Sequence, residues 1–225
     1  MKWLNVITNK PWEPGQEATN TFVHDNSSDA AKETAFRFLL AVITVVFFLF
    51  TITFLQRSQS YDFQALAGEI WLPFNDLTAL WRSSFLLLGA SISLALGLRQ
   101  ARNLNAPFTL VTLLSAILFS LAFLFSQIDI WQQLNSQGYG LTSNPANSYF
   151  YLLTAVHGIH MLVGLYVLLN VSFRLLLDKF QTDTYTSLRL TANYWHFMLG
   201  IWCFLFVLLT RDTQTYKTIA AICGF

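Results

Sequence analysis

Five stretches of the chain contain no charged residue and are candidates for crossing a membrane. They cover residues 38–56, 83–98, 103–128, 130–173 and 190–210. A helix that crosses the hydrocarbon layer of a bilayer, ~30 Å thick, needs about 20 apolar residues. We therefore predict five transmembrane helices, at about 35–55, 78–98, 107–127, 148–173 and 190–210.

Two of these stretches need adjustment before they fit one helix each. The fourth is too long for a single crossing, but residues 132–145 are mostly polar or small, which predicts a loop and a helix that begins near Asn147 or Ser148. The second is short, and residues 77–81 extend it if Arg82 reaches the membrane surface with its guanidinium.

Composition supports a protein whose outer surface faces lipid. Charged residues make up 11% of the 225 residues, against roughly 25% in a soluble domain. Hydrophobic residues make up 54%, and the formal net charge is +1. The high hydrophobic content excludes a disordered chain. A net charge of +1 provides no extended basic field, which excludes a nucleic-acid partner. We predict an all-α membrane protein.

The distribution of cations predicts the orientation of the chain. Nine lysines and arginines fall on the side of the N-terminus and four on the other side. By the positive-inside rule the N-terminus is cytoplasmic and the C-terminus extracytoplasmic. We expect a polar cytoplasmic arm at 1–34, a five-helix domain at 35–212 and a short extracytoplasmic tail at 213–225. The nine cations are Lys2, Lys10, Lys32, Arg37, Arg99, Arg102, Arg174, Lys179 and Arg189.

Small residues predict a close contact between helices. Gly89, Ser93 and Gly97 follow one another at intervals of four in the second predicted helix, and Gly164 lies in the fourth. Residues without large side chains let two helix backbones approach each other in lipid, where packing drives association. We predict that these four positions contact neighbouring helices.

Three histidines in the predicted helices are candidates for a site. His157 and His160 are three residues apart and share a face of the fourth helix, and His196 follows Trp195 in the fifth. One interpretation is axial ligation of a haem iron, but two histidines on one helix cannot occupy opposite faces of one haem. We favour a hydrogen-bonded cluster that joins the two helices, or that meets a lipid headgroup or another subunit.

Catalytic chemistry finds no support in the chain. Hydrolase, zinc-protease and phosphate-loop motifs are absent from the sequence. No aspartate or glutamate falls in the hydrocarbon core of a predicted helix. We predict neither a catalytic residue nor a metal ligand in this chain.

Two segments resemble a known family. Residues 149–164 read YFYLLTAVHGIHMLVG and are similar to the pattern F-x-x-x-T-G-x-H-G-x-H-V-x-x-G of subunit III of the haem–copper respiratory oxidases, in its five-helix form. Ala155 stands where glycine is usual. The segment Tyr194-Trp195-His196-Phe197, followed by Trp202, is similar to the Tyr-Trp-His-Phe-Val-Asp segment of the same family.

Weaker matches and two departures accompany these segments. The spacing from Leu72-Pro73 to Ser83-Ser84 and the triplet Gln127-Ile128-Asp129 also fit the family, so that the resemblance covers about residues 35–212. The family's acid in the first of these helices is missing from residues 41–46, and so is the aspartate expected near Leu199. The chain resembles a divergent member.

The resemblance implies a subunit without redox centres in an oxidoreductase complex of the cytochrome c or quinol oxidase type. It would pack beside the catalytic subunit I, with electrons arriving through subunit II or from quinol, and haem and copper would belong to those partners. Helices 1–2 and helices 3–5 would form a V-shaped bundle that holds phospholipid. Histidine, tryptophan and a cation such as Arg174 or Arg189 suit a phosphate headgroup. The expected lipid or interhelix cluster is therefore at His157, His160, Trp195, His196 and Arg174.

Alternatives remain open at this point. The chain could be an accessory subunit of a related nitric oxide reductase, or a membrane cytochrome anchor in which the histidines bind haem. The expected location is a bacterial cytoplasmic membrane, with the mitochondrial inner membrane as the second choice.

Overall fold

The computed structural model describes residues 20–67, 77–103, 105–177 and 182–223. Helices are the only regular secondary structure in these ranges, and no strand occurs in them. The helices are α1 Asn20–Arg57, α2 Thr78–Arg102, α3 Ala106–Ser136, α4 Pro145–Leu176, α5 Thr182–Leu209 and α6 Thr213–Cys223.

Five of these helices are long and apolar enough to cross a membrane. The candidate spans are Ala30–Arg57, Thr78–Arg102, Ala106–Ser136, Pro145–Leu176 and Thr184–Leu209. Each contains or closely overlaps one predicted helix, so the prediction of an all-α protein with five transmembrane helices is confirmed.

The ends of the helices differ from the prediction. The polar stretch after residue 131 was expected to be a loop, but α3 continues through it to Ser136. Glutamine is a good helix former, and a helix that leaves the hydrocarbon layer can keep its polar residues at the membrane surface. The longer α3 includes Asp129, whose side chain is exposed near the C-terminal end. Similarly, α1 begins at Asn20, inside the expected arm, whose residues 1–19 lie outside the described ranges.

A short helix occupies most of the expected tail. In α6, Tyr216 is only 1% exposed, and its ring makes edge contacts with Phe54 and Phe63 at centroid distances of 5.2 and 5.9 Å. The Tyr216 hydroxyl donates to the Leu208 carbonyl at 2.6 Å. Burial raises the pKa of this phenol above its usual value of 10.0. The helix therefore packs onto the ends of α1 and α5.

The chain divides into two compact units, residues 1–38 and 39–225. In the first, Glu33 and Arg37 pair at 3.8 Å along α1. In the second, α2 packs against α3 and α5, and α4 packs against the same two helices. The apolar core between these helices contains Leu87, Leu94, Leu113, Leu153, Met161, Leu168, Trp195 and Trp202, all at most 2% exposed.

Asn144 joins the segment between α1 and α2 to the start of α4 through hydrogen bonds. The Asn144 side chain accepts a hydrogen bond from the Gln64 amide at 3.3 Å and donates to the Gln64 carbonyl at 2.6 Å. It also caps α4 by accepting from the Ala146 amide. In the same connection, hydrogen bonds from Arg57 lower the pKa of Asp62.

Candidate functional site

Two tryptophans of α5 hydrogen-bond to serines of neighbouring helices. The Trp195 indole N–H donates to the Ser120 hydroxyl of α3 at 3.1 Å. About two turns further along α5, the Trp202 indole N–H donates to the Ser84 hydroxyl of α2 at 2.9 Å. Both indoles are almost completely buried. Because an indole N–H can only donate, a buried tryptophan needs an acceptor, and the serines provide it.

Two further side-chain pairs, each with one hydroxyl, also join neighbouring helices. The Trp131 N–H of α3 donates to the Thr154 hydroxyl of α4 at 3.1 Å. The Ser91 hydroxyl of α2 lies 2.5 Å from Nδ1 of His196 on α5. The four pairs together link α2, α3, α4 and α5, and we call them the polar pairs.

Three of the four hydroxyls in these pairs also donate to a backbone carbonyl of their own helix. Ser84 donates to the Leu80 carbonyl at 2.9 Å, and Thr154 donates to the Phe150 carbonyl at 2.6 Å. Ser120 does the same to Ala116. A hydroxyl that gives its proton to its own backbone keeps its oxygen lone pairs for a donor on another helix. These hydrogen bonds therefore link the helices without a charged side chain in the apolar interior.

His157 lies in an aromatic cage formed by three helices. Its ring centroid lies 6.5 Å from Phe47 of α1, 5.7 Å from Phe123 of α3 and 5.4 Å from Trp202 of α5. The side chain is completely buried, and neither ring nitrogen has a hydrogen-bond partner among the described residues. The His157 ring therefore acts as a packing element.

His160 binds within its own helix. Its Nδ1 lies 2.7 Å from the Val156 carbonyl, which fits an N–H donor. Its ring is 5.7 Å from that of Phe47, and its own carbonyl accepts the Tyr194 hydroxyl at 2.9 Å. The link between α4 and α5 at this level is therefore a tyrosine bound to a backbone carbonyl.

The structure places the predicted site residues in different surroundings. Each of His157, His160 and His196 has its own neighbours, and none of their described hydrogen bonds joins one to another. Trp195 is fully buried, whereas His196 and Arg174 are exposed and His160 is half-buried. Arg174 lies in the last turn of α4.

The predicted small residues lie where helices approach one another. A Cβ on Gly164 would stand 2.7 Å from Cε1 of Tyr194 and 2.8 Å from Cζ3 of Trp195. A Cβ on Gly97 would stand 2.7 Å from the Thr112 hydroxyl, and one on Gly89 would meet the Phe119 ring at 3.4 Å. Ser93 is buried in the same helix as these two glycines.

Sequence reasoning missed the hydroxyl partners. Ser91, Ser120 and Thr154 are at most 3% exposed in helices that are otherwise apolar. A buried hydroxyl in an apolar helix is itself a signal, since it asks for a partner inside the protein. Gln127 gives the same signal, but its amide is buried with no partner among the described residues.

The described part of the chain holds no group of three or more histidine, cysteine, aspartate or glutamate side chains placed to bind a metal ion. The four polar pairs inside it are neutral and link helices. With five helices long and apolar enough to span a membrane, the chain is an integral, multi-pass membrane protein.

Comparison with known proteins identifies the family. The sequence profile of the family described as Cytochrome c oxidase subunit III matches residues 6–211. The chain therefore belongs to the cytochrome c oxidase subunit III family, the third subunits of terminal haem–copper oxidases, and the resemblance found in the sequence is confirmed.

Relatives of this chain come from animals and bacteria. It is 27% identical over 179 residues to cytochrome c oxidase subunit 3 of Rhipicephalus sanguineus, covering 76% of this chain and 67% of that protein. It is 22% identical over 191 residues to cytochrome bo(3) ubiquinol oxidase subunit 3 of Buchnera aphidicola, covering 84% and 90%. It is 24% identical over 208 residues to cytochrome c oxidase subunit 3 of Papio hamadryas, covering 90% and 78%.

Proposed function

We propose that this chain is a non-redox subunit of its oxidase that packs beside catalytic subunit I, in a complex with subunit II, and stabilises that complex. The observation that supports this role most is the surroundings of His157, whose ring packs against Phe123 and Trp202 and has no hydrogen-bond partner among the described residues, as expected for a side chain that stabilises helix packing. Haem and copper would belong to the partner subunits.

Purification of the intact complex in mild detergent tests this role. We expect this chain to remain with a subunit that contains haem and copper, and to show no Soret band when it is purified alone. A strong Soret band from the isolated chain would favour the cytochrome anchor. Nitric oxide as the electron acceptor of the purified complex would favour the reductase.

We also propose that the chain holds a phospholipid along α4 and α5. Because His157 and Trp195 are buried, the residues that a lipid could contact are His160, His196 and Arg174. Arg174 lies about 21 Å along α4 from His160, so a phosphate at Arg174 would leave an acyl chain beside His160. A density map of the complex that shows no lipid beside His160 and Arg174 would refute the proposal.

The orientation, the arrangement of the helices and the membrane are further parts of the proposal. A cytoplasmic N-terminus follows from the excess of cations on that side, with a polar arm at 1–34, a five-helix domain at 35–212 and a terminal segment at 213–225. The V-shaped division of helices 1–2 from helices 3–5 stays a prediction, and the packing of α2 against α3 and α5 does not support it. A bacterial cytoplasmic membrane is the expected location.

A further inference from the structure

A groove opens on the outer side of α2, near the end where this helix begins. Its volume is about 540 Å³, which is within the usual range for a ligand cleft. The lining residues come from α2 and α3, and they are Thr78, Trp81, Arg82, Phe85, Leu86 and Phe119. The groove thus combines one cation with a mostly apolar surface.

Aromatic contacts shape this groove. The Trp81 ring stands 4.9 Å from Phe206 of α5, edge to face, and 5.9 Å from Phe85. These contacts hold the indole at one side. Because Gly89 has no side chain, the Phe119 ring lies against α2 and closes the inner end. Seven residues separate Arg82 from Gly89, so the groove extends about 10 Å along α2.

Arg82 is the charged group of the groove. Its side chain is exposed, and no described residue forms an ion pair or a hydrogen bond with it. An arginine in a transmembrane helix is costly unless its guanidinium reaches the membrane surface or an anion. Arg82 lies one turn inside α2, close enough to the helix end for its guanidinium to reach the membrane surface.

We propose that this groove binds an anionic phospholipid from the leaflet that faces the start of α2. The Arg82 guanidinium would hold the phosphate through two parallel hydrogen bonds, and the first half of one acyl chain would lie along Phe85, Leu86 and Phe119. A cation at the membrane surface, next to an apolar groove, is complementary to an amphiphile with a negatively charged head and an apolar chain. A partner helix, 10–12 Å in diameter, would instead need a broader face.

This site is separate from the lipid proposed along α4 and α5. That lipid would have its phosphate at Arg174, in the last turn of α4. Successive helices run in opposite directions, so the start of α2 and the end of α4 lie at opposite surfaces of the membrane. Either site can therefore fail without the other.

Lipid retention by the intact oxidase complex tests the proposal. The complex would be placed in nanodiscs of equal parts phosphatidylglycerol and phosphatidylcholine, and the lipids that remain bound would be counted by native mass spectrometry. We expect Arg82→Gln to lower the ratio of phosphatidylglycerol to phosphatidylcholine about fivefold, and Arg82→Lys to retain most of it. Arg211→Gln, at an exposed arginine between α5 and α6, is the matched control and should leave the ratio unchanged.

A second variant tests the apolar part of the groove. Leu86→Trp should fill the channel and lower the retention of both lipids. An unchanged lipid ratio in Arg82→Gln would overturn the proposal. If that variant fails to assemble, a map of the unmodified complex decides: phospholipid density at Arg82 supports the proposal, whereas an empty groove or density from a partner subunit refutes it.

Discussion

Individual polar residues inside this protein are stabilised by neutral partners. The Trp195 N–H and the Ser120 hydroxyl satisfy each other between α5 and α3, and Ser120 gives its own proton to the backbone of its helix. In lipid such a bond contributes on the order of 1 kcal/mol. Its main effect is to fix which faces of the helices meet, because a shifted helix would leave a donor unsatisfied.

Two histidines should respond differently to the same substitution. His157→Phe should leave the complex as stable as before or stabilise it by about 1 kcal/mol, because a phenyl ring suits the aromatic cage and removes two nitrogens that have no hydrogen-bond partner among the described residues. His196→Phe should destabilise it by about 1 kcal/mol, because Ser91 loses its partner. Thermal unfolding of the purified complex measures both. A greater loss for His157→Phe would mean that its nitrogens have a partner in the assembled oxidase.

At the residue scale the sequence predicts one half of two polar pairs, namely Trp195 and His196. Both are recognisable because each lies in a motif that also resembles the family. Their partners are serines, which also occur in apolar helices for packing alone. Ser91 can be identified as the partner of His196 only when the rotation of both helices about their axes is known, and these helices are far apart in the chain.

At the scale of helices, the close contact between α4 and α5 depends on the glycine at position 164, which has no side chain. Gly164→Ala would place a methyl group within 3 Å of Tyr194 and Trp195, so we expect a loss of about 1–3 kcal/mol. Gly200→Ala is the matched control on α5, where a Cβ would meet nothing within 4 Å. Thermal unfolding of the two variants gives the difference. Equal stability would show that α4 and α5 can separate without cost.

The final helix should depend on its buried tyrosine. Tyr216→Phe removes the hydrogen bond to the Leu208 carbonyl but keeps the ring contacts with Phe54 and Phe63. We expect amide hydrogen exchange in α6 to become about fivefold faster, since one such bond contributes about 1 kcal/mol. Tyr216→Ala should increase exchange much more. Exchange that stays unchanged in both variants would show that α6 is held by other contacts.

Helix positions were easier to predict than helix ends. Charge-free runs mark the part of each helix in hydrocarbon, because charges are excluded there. Beyond it, polar residues are compatible with either helix or loop, so the extension of α3 through Gln132 and Gln133 gave no clear signal. The α6 segment is too short for the 18-residue criterion of a span, and it becomes a helix where Tyr216 packs onto α1 and α5.

At the scale of the whole molecule, the buried polar side chains of the described residues are mainly hydroxyls and aromatic rings, with His157 among them and no aspartate or glutamate. The sequence indicated this through the acids missing from residues 41–46 and near Leu199. The structure adds that Phe47 contacts both His157 and His160. Family membership supports a place in the oxidase complex, and the role in assembly and lipid binding is our proposal.

The orientation of the chain gives the last prediction. Nine cations on one side and four on the other should keep the N-terminus in the cytoplasm. In a bacterial host, alkaline phosphatase fused after Phe225 should be active, and the same enzyme fused after Asn103, between α2 and α3, should be inactive. Green fluorescent protein fused at the same two positions should give the reverse pattern, because it fluoresces only when it folds in the cytoplasm. Active phosphatase after Asn103 would show that the topology is the reverse of the predicted one. The groove at Arg82 would then face the cytoplasmic leaflet.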